Sequence, residues 1–459
     1  MDLLRFLLLI VSIISGTQSK KKYQIHIGAT FPMSGDWPGG QACRPAAELA
    51  IQDINKQVKV LKDYELILHG RDSACLPGLG TKRMYELIYQ EPKKIALLTG
   101  CSTVTTFVAE AANLWNLIVL AYGASSPALS NRTRFPTFFR THPSASDQNP
   151  IRLRLIKQFD WKKITLLYQL EEVFASTIKS LQSKATEMGI TITNTRSFQK
   201  NPSIHIQAIK NSTNSHNGED SRIIIGLFYE KMAKKVFCDA YNSGLYGPKY
   251  VWIIIGWYMN DWWSTDLKDT NCTAAQMKLA THGHLTTESI MIDESKSKEF
   301  ERLMMAQMPK GTPISSIGGW VEAPLAYDAV WALAHALDKA EKDLQMRKKS
   351  LLDFDYGNSE VKDVLYRELD KTDFKGFSGS VNFDASGSRI SLNRVEQMLD
   401  GQYYTLGNFH SNKTDGGMEF ERQPVWPNNK PPLDSPLLRP RYIEVSLWLY
   451  FGVYSGLPL

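Results

Sequence analysis

Short apolar runs alternate with longer amphipathic segments along the first part of the chain. Tyr23–Phe31 (YQIHIGATF) alternates apolar and polar positions like a half-buried strand, and 44–58 has apolar residues at helical spacing. Further strand and helix pairs follow at 64–90 and 94–115, and the next run, LIVLAYG at 117–123, is almost wholly apolar. Runs of that kind are typical of strands buried on both faces of a parallel sheet. The pattern therefore predicts a parallel sheet with helices on both faces.

The same alternation restarts at residue 162 and continues to about residue 257. A long helix is predicted at 323–342, with Pro324 in its first turn, where proline is favoured. The segment 377–391 (FSGSVNFDASGSRIS) has the composition of a β-hairpin. Two units of similar build in 459 residues predict a bilobed α/β protein, with two parallel-sheet lobes and a ligand between them.

Polar and aromatic residues follow the predicted strands, at the ends where open parallel sheets bind ligands. These positions hold Trp37, Ser102, Ser125, Tyr229 and Trp257, with no Lys, no Arg and no nucleophile beside a base. Either serine alone is interpreted as a helix N-cap. Because the two serines follow successive strands, their hydroxyl groups are also predicted to converge on one carboxylate.

An anion held by neutral donors is only partly neutralised, which favours a zwitterionic ligand. Glu322 stands just before the long helix and is a candidate partner for an ammonium group, although an acid there also stabilises the helix by itself. Trp37 and Trp257 are candidates for the pocket walls, since an aromatic face attracts an ammonium group by about 0.5–2 kcal/mol. Either tryptophan is otherwise an ordinary core residue.

The sequence does not support catalytic, phosphate-binding or metal-binding motifs. GCSTV and GASSP lack the spacing of a nucleophile elbow, no His stands at these strand ends, and a P-loop is absent. His282 and His284 share one strand face, but no third metal ligand is evident. The formal charge of +6 is spread without a long basic block, which argues against nucleic acid. We expect a binding protein, not an enzyme, with no cofactor and no metal.

The amino terminus predicts entry into the secretory pathway. Residues 1–19 combine a charged start, an apolar core and small residues, as a signal peptide does. Potential N-glycosylation sites agree with that location. They are Asn131, Asn211, Asn271 and Asn412.

Five cysteines leave at least one thiol unpaired. Cys75 and Cys101 follow neighbouring predicted strands, and Cys238 and Cys272 flank another. We expect these two pairs to form disulfides, each contributing about 2–4 kcal/mol by restricting the unfolded chain. Cys43 is then the free cysteine.

Long ordered blocks of the sequence resemble one receptor family. They are FPMSGDWPGGQAC at 31–43, GCSTVTTFVAEAANLWNLIVLAYGASSPALSNRTRFPTFFRTHPSA at 100–145, GLFYEKMAKKVFCDAY at 226–241, VWIIIGWY at 251–258, EAPLAYDAVWALAHAL at 322–337 and VNFDASGSR at 381–389. The chain resembles the GABA-binding subunit of metabotropic GABA type B receptors over about residues 23–432. The resemblance implies a bilobed Venus flytrap, similar to periplasmic binding proteins of type I.

The resemblance also implies roles for individual residues. Ser102 and Ser125 from lobe 1, with Tyr229 from lobe 2, are expected to bind the carboxylate of the ligand. His142 and Glu322 are expected to hold its ammonium end. The remaining expected contacts are Trp37 and Trp257 against the aliphatic chain, and Gly123 as a point of close backbone approach.

Other residues are assigned supporting roles by the same resemblance. Asp328 matches an acidic position that supports the site, and the two disulfides match those of the family. Tyr85 and Tyr89, spaced by four residues on one helix face, are expected to meet subunit 2, with ordinary half-buried aromatic residues as the alternative. Asp36 departs from the glycine usual in the family, so it either alters ligand preference or faces solvent.

The expected domain boundaries follow the flytrap pattern. Lobe 1 is expected at 23–145 and 283–375, and lobe 2 at 146–282 and 376–420. Residues 421–459 are expected to be a linker and a divergent tail, without the seven membrane helices that the family implies. Two explanations stay open for that end of the sequence, an incomplete gene model and a truncated ectodomain.

The functional expectation is a ligand-gated switch. GABA is expected to bind between the lobes, whose closure signals to a G protein only indirectly, through subunit 2, at the cell surface. Three alternatives are kept: a secreted flytrap acting as a ligand sink or dominant-negative partner, a flytrap for another amino acid, and a secreted hydrolase that uses a strand-end serine.

Overall fold

The computed structural model describes residues 22–213, 221–410, 418 and 420–434. The predicted signal peptide at 1–19, the sequon at Asn412 and the tail beyond residue 434 lie outside the described residues.

The first sheet is parallel and contains the strands predicted from the early apolar runs, plus one more. Its order is β2-β1-β3-β4-β5. The strands are β1 Tyr23–Phe31, β2 Tyr64–Asp72, β3 Ala96–Thr99, β4 Ile118–Ala121 and β5 Phe138–Arg140. The connecting helices are α1 Gly40–Lys56, α2 Pro77–Tyr89 and α3 Ser102–Ala112. Every residue of β3 and β4 is buried, as expected for strands covered on both faces.

The middle of the chain forms most of a second sheet. Its strands are β6 Lys163–Gln169, β7 Thr191–Phe198, β8 Ile223–Leu227, β9 Val251–Ile255 and β10 Leu285–Ser289. Its helices are α4 Asn149–Gln158, α5 Glu172–Glu187, α6 Ser203–Thr213, α7 Glu230–Ser243 and α8 Ala274–Thr281. Apolar clusters pack on both faces of this sheet, so it has the same covered build as the first.

The last part of the chain contributes to both lobes. It contains α9 Ser297–Met305, α10 Ala323–Met346, α11 Glu360–Asp370, β11 Asp373–Gly376, β12 Gly379–Asn382, β13 Leu392–Leu399 and β14 Gln402–His410. Helices α10 and α11 pack in the core of the first sheet. Strands β13 and β14 are antiparallel and extend the second sheet, whose order is β14-β13-β10-β9-β8-β6-β7. The predicted bilobed α/β architecture is confirmed.

Two of the expected domain boundaries need correction. Strand β10 pairs with β9, with Leu285 opposite Ile253, so the chain remains in lobe 2 beyond residue 283. Residues 384–389 bond to β5, where the Arg140 N–H donates to the Gly387 carbonyl, so the hairpin region stays with lobe 1 beyond 376. The sequence LTTES of β10 does not look like a buried strand, because four of its five residues are polar. We propose that the later crossings between lobes lie near 290 and 391.

The segment expected to be a linker after residue 420 packs on lobe 2 as far as residue 434. The Trp426 ring lies edge-on to Phe159, with 5.2 Å between ring centroids. The Trp161 indole N–H donates to the Pro432 carbonyl at 2.7 Å. The apolar side chain of Trp426 therefore anchors 420–434 to lobe 2. The Pro- and Asn-rich composition of the segment did not predict this packing.

Both expected disulfides are present, and each lies within one lobe. Cys75 joins Cys101 across the ends of β2 and β3, and Cys238 in α7 joins Cys272 just before α8. Cys43 is buried and free, and burial raises the pKa of its thiol well above the usual value. Neither bridge crosses between the lobes, so neither restricts their relative movement.

Asp328 fastens the β11–β12 hairpin to α10. Its fully buried carboxylate accepts hydrogen bonds from the Phe377 and Ser378 N–H groups at 3.0 and 2.7 Å and from the Ser378 hydroxyl. Arg389 donates to the Ser378 hydroxyl and carbonyl oxygens. A Cβ at Gly376 would lie 2.2 Å from the Asp328 carboxyl, so only glycine fits there. Asp328 thus stabilises the hairpin, and its support of the ligand site stays a prediction.

We predict that Asp328→Ala lowers the free energy of unfolding by about 2–4 kcal/mol, because two buried N–H groups lose their acceptor. Chemical denaturation of the secreted protein measures the change. Asp370→Ala is the control, since Asp370 is exposed at the end of α11, and its effect is expected within about 0.5 kcal/mol. Equal stability of the two variants would contradict the role of Asp328.

Candidate functional site

The eight residues expected to contact ligand surround one small cavity between the lobes. They are Trp37, Ser102, Gly123, Ser125, His142, Tyr229, Trp257 and Glu322. The cavity volume is about 20 Å³, enough for about one water molecule. A ligand of several heavy atoms therefore needs the lobes or the lining side chains to move apart before it can bind.

Ser102 joins the ends of two neighbouring strands. It is the first residue of α3, directly after β3 and the Gly100-Cys101 turn, and it is 5% exposed. Its Oγ accepts hydrogen bonds from the N–H groups of Ser125 and Ser126, both at 3.1 Å. Because these bonds use the oxygen only, the hydroxyl proton remains available to a ligand in the cavity.

Ser125 presents its hydroxyl to the same cavity. Its side chain is buried, and no hydrogen-bond partner of its Oγ is found among the described residues. The interpretation of Ser102 and Ser125 as N-caps is wrong, since neither side chain caps a helix. Ser126 is the capping residue, and its Oγ accepts from the Ala128 N–H at 3.2 Å. Two hydroxyl donors and the amino-terminal end of α3 thus face one point, an arrangement suited to a carboxylate.

Glu322 supplies the acidic side of the cavity. It is 4% exposed and immediately precedes α10. Burial raises the pKa of its carboxyl to about 7, the charge of Glu230 adds to the rise, and a hydrogen bond from the Trp37 side chain partly opposes it. A cation placed beside Glu322 would favour the ionised form and lower this pKa again.

His142 is a neutral acceptor in the same wall. Burial lowers the pKa of its imidazole to about 4, and its Nδ1 lies 2.8 Å from the Pro143 carbonyl oxygen. Since a carbonyl oxygen only accepts, the ring proton must be on Nδ1, which leaves Nε2 unprotonated. An unprotonated Nε2 can accept a hydrogen bond from an ammonium group. Sequence reasoning without the family resemblance gave no signal for this residue.

The Trp37 indole closely approaches the backbone of two glycines. A Cβ on Gly123 would stand 2.3 Å from Trp37 Cη2, and a Cβ on Gly39 would stand 2.3 Å from Trp37 Cζ2. The indole ring therefore occupies the space that side chains at these positions would fill. In this structure the close neighbour of Gly123 is Trp37, and its role in the ligand site stays a prediction.

Lobe 2 contributes aromatic side chains from the ends of β8 and β9. Tyr229 follows β8, and its ring packs edge-on against Phe174 at 4.8 Å between centroids. Burial, with the charges of Glu171 and Asp36, raises the pKa of Tyr229, so its phenol stays protonated and can donate. Trp257 packs edge-on against His142 at 6.3 Å, which brings the two lobes into contact beside the cavity.

A direct hydrogen bond between the lobes lies next to Ser125. The Ser126 hydroxyl donates to Glu172 Oε1 at 2.6 Å, and Glu172 is the first residue of α5 in lobe 2. Sequence reasoning missed Glu172 because it did not consider the residues that follow β6, although the same strand-end rule applies there. Val173, the next residue, also lines the cavity.

Asp36 lies outside the small cavity. It is exposed and lines a wider chamber of about 680 Å³, which shares Trp37, Tyr229, Trp257 and Glu322 with the cavity. Its charge raises the pKa of Tyr229 and of Glu171 on the opposite lobe. Asp36 is therefore exposed and within electrostatic reach of the site, which combines the two alternatives expected for it.

The remaining candidate residues lie on the surface or in the core. Tyr85 and Tyr89 are 37% and 72% exposed on α2, with stacked rings 6.2 Å apart, so Tyr89 does not fit the half-buried alternative. Their contact with a partner stays a prediction. The three sequon asparagines at 131, 211 and 271 are exposed.

The two histidines considered for metal binding are engaged separately. His284 is buried, with Nδ1 at the Thr281 carbonyl and Nε2 3.1 Å from the Tyr403 hydroxyl, while His282 accepts at Nδ1 from the Asp400 N–H. Within the described ranges, no group of three or more His, Cys, Asp or Glu side chains is placed to hold a metal ion.

The sequence model of one family, described as receptor family ligand binding region, matches residues 42–399. The chain belongs to this family. It is a family of receptors and not of enzymes, and the covered parallel sheets agree with it. None of the helices in the described part of the chain is long and apolar enough to cross a membrane.

Individual relatives of this receptor family member are receptor subunits. The chain is 44% identical to gamma-aminobutyric acid type B receptor subunit 1 of Mus musculus, over 97% of this chain and 46% of that protein. It is 43% identical to subunit 1 of Caenorhabditis elegans, over 94% and 48%. It is 30% identical to subunit 2 of Homo sapiens, over 92% and 44%. The chain thus spans about half the length of these relatives.

We predict that Gly123→Ala displaces the Trp37 indole, because the new methyl group overlaps it. The expected result is a changed near-ultraviolet circular dichroism spectrum and a free energy of unfolding lower by about 1–3 kcal/mol. Gly78→Ala is the matched control, since no atom lies within 4 Å of a Cβ there. An unaltered spectrum for Gly123→Ala would show that Trp37 is not held against this glycine.

Proposed function

We propose that this chain is the GABA-binding region of a type B GABA receptor subunit. The observation that carries the proposal is one small interlobe cavity lined by two serine hydroxyl groups and by a buried carboxyl. The similarity to subunit 1 of the relatives supports GABA as the ligand. GABA fits this arrangement because it is a zwitterion whose two charges are separated by a short apolar chain.

Each end of the ligand is assigned to a separate group of residues. Ser102 and Ser125 donate to the ligand carboxylate, and Tyr229 donates to it from lobe 2. Glu322 and the unprotonated Nε2 of His142 accept from the ammonium group. The rings of Trp37 and Trp257 then cover the methylene chain from opposite lobes.

Closure of the lobes follows from contacts that span the cleft. Ligand shifts an equilibrium between lobe positions only by binding one position more tightly. Tyr229 and Trp257 provide such contacts, since they belong to lobe 2 while the serines belong to lobe 1. The hydrogen bond from Ser126 to Glu172 adds to the same closed arrangement.

The assembly of the receptor is proposed by analogy with the relatives. The exposed Tyr85 and Tyr89 would contact subunit 2, which passes closure on to an inhibitory G protein, at the extracellular face of the plasma membrane. A secreted form that competes for ligand or for subunit 2 is the second candidate. Co-expression of this protein with subunit 2 distinguishes the two candidates. Only the receptor subunit is expected to give GABA-dependent G-protein signalling, whereas the secreted form is not.

We predict that GABA binds to the secreted protein and that Ser125→Ala and Glu322→Ala each weaken binding about tenfold or more, because each removes a contact to a charged group. Calorimetry with GABA, glutamate and glycine measures affinity and selectivity. Ser183→Ala and Glu187→Ala, exposed on α5, are the matched controls and should bind GABA as the parent does. Unchanged GABA binding by both site variants would refute the site, and a preference for glutamate or glycine would support a different amino acid.

We predict that GABA affinity falls about tenfold between pH 8 and pH 6. The ammonium group needs the ionised Glu322, whose pKa is about 7 without ligand, so protons compete with the ligand below that value. His142 stays neutral through this range because its pKa is about 4, and the ligand itself does not titrate there. Glu322→Gln should bind weakly at both pH values. A flat pH profile for the parent protein would refute the assignment of Glu322 to the ammonium group.

A further inference from the structure

A second cavity lies on lobe 1, away from the cleft. Five aromatic rings follow one another along it, with neighbouring centroids 4.9 to 6.5 Å apart. They are Phe377, Tyr327, Trp331, His335 and Phe374, which we call the aromatic pocket. Its volume is about 360 Å³, within the range of small-molecule sites, and it shares no lining residue with the interlobe cavity.

The polar groups of this pocket that remain available are mainly donors. The Trp331 Nε1–H is buried and makes no hydrogen bond of full geometry, although it lies near enough to the Tyr327 hydroxyl to lower the pKa of that group. Lys296 Nζ donates to the Gly376 carbonyl at 2.7 Å and lies 6.0 Å from the centre of the Phe377 ring, which leaves further N–H bonds free. The Tyr327 hydroxyl is already used, because it donates to Asp53 at 2.9 Å.

Acidic groups near the pocket are either engaged or at its rim. The Asp328 carboxylate accepts three hydrogen bonds from Phe377 and Ser378. Asp293, which lies within electrostatic reach of Lys296, accepts from Ser295. Glu299 is exposed at the edge. A bound molecule therefore meets the Trp331 N–H, the Lys296 ammonium group and the imidazole of His335, whose pKa is lowered by burial and which offers one N–H and one acceptor nitrogen.

We propose that the aromatic pocket binds a small planar aromatic molecule that carries a carboxylate. The ring of such a molecule stacks among the five aromatic side chains, where offset and edge-on contacts stabilise it. Its carboxylate accepts from Lys296 and from the Trp331 indole. Buried donors of this kind are costly when unpaired, so an acceptor is favoured over an apolar group of the same size.

The aromatic pocket contacts two segments that lead to the cleft, so a ligand bound in it can influence GABA binding there. Phe377 lies beside a crossing between the lobes, where its carbonyl accepts from the Asp293 N–H at 2.8 Å. Tyr327 and Trp331 belong to α10, which begins directly after Glu322. A ligand held between this helix and the crossing segment would bind differently to the open and closed arrangements, which makes it an effector of GABA binding. This second statement rests on the proposed function, whereas binding to the pocket does not.

The binding test uses 1-naphthoate as the probe on the secreted full chain, with ligand-observed NMR. We expect a Kd below about 1 mM for a ligand of this size. We expect Trp331→Phe to weaken binding about fivefold, since it removes the indole N–H together with part of the ring system. We also expect Phe374→Ser to abolish binding and Ser125→Ala to leave it unchanged. Trp331→Phe keeps a six-membered ring in place, so we expect the variant to fold, with a melting temperature only slightly below that of the parent.

The charge of the probe provides the matching control. 1-Naphthylmethylammonium has the same ring system with a donor in place of the acceptor, so we expect it to bind more weakly than 1-naphthoate. Equal or tighter binding of the ammonium probe would overturn the proposal. So would the absence of naphthoate binding, or binding that Trp331→Phe and Phe374→Ser do not alter.

The coupling test measures GABA affinity with and without saturating 1-naphthoate. We expect a change of at least about threefold, in either direction. An unchanged GABA affinity with the pocket occupied would overturn the effector role. Failure of GABA to bind under any condition would instead overturn the proposed function, while the naphthoate result would stand on its own.

Discussion

The hydroxyl oxygen of Ser102 holds the ligand-facing edge of lobe 1 together. It accepts from two successive peptide N–H groups at the end of β4 while its own residue begins α3 at the end of β3. This one oxygen therefore ties the loop after β4 to the first residue of α3, beside strand ends that are already paired through Thr99 and Ala121. It also fixes the direction of the Ser126 side chain, which reaches Glu172 on the other lobe. In the proposed binding mode, Ser125 contacts the ligand and the adjacent Ser126 contacts lobe 2. Ligand recognition and the contact between the lobes thus depend on the same short backbone segment.

The cavity is lined by two buried titratable groups, and its electrostatics follow from their burial. Glu322 and His142 are both buried, and burial moves the pKa of each toward the neutral form. Because both groups are close to neutral, burying them between the lobes without ligand requires little free energy of desolvation. In the proposed binding mode, the negative charge that holds the ammonium group develops on Glu322 only when the ligand binds.

The sequence predicted the parallel sheets because β3, β4, β8 and β9 are almost wholly apolar, which only a doubly covered sheet explains. It did not predict β5, which has only three residues, or β10, whose buried threonines look like a loop. Strand-end reasoning reached the serines and tryptophans. His142 was found only through the family resemblance, because a lone histidine after an unrecognised strand carries no pattern.

The same limit explains the errors at the lobe boundaries. Periodicity describes each element by itself, whereas the lobe to which an element belongs depends on pairing between distant segments. Hydrogen bonds from Arg140 to Gly387 and from Ser378 to Asp328 join residues far apart in sequence. Such contacts leave no local signal, so the hairpin and β10 were assigned to the wrong lobes.

Helix α10 completes the core of lobe 1, yet it comes nearly 200 residues after β5. During synthesis, the first sheet therefore emerges from the ribosome long before the helix that covers it. The strands β6 to β9 of lobe 2 are contiguous by comparison and can pair early. The alanine-rich face of α1 stays uncovered until α10 has been synthesised. We therefore expect the incomplete lobe 1 to bind chaperones in the compartment where the chain folds.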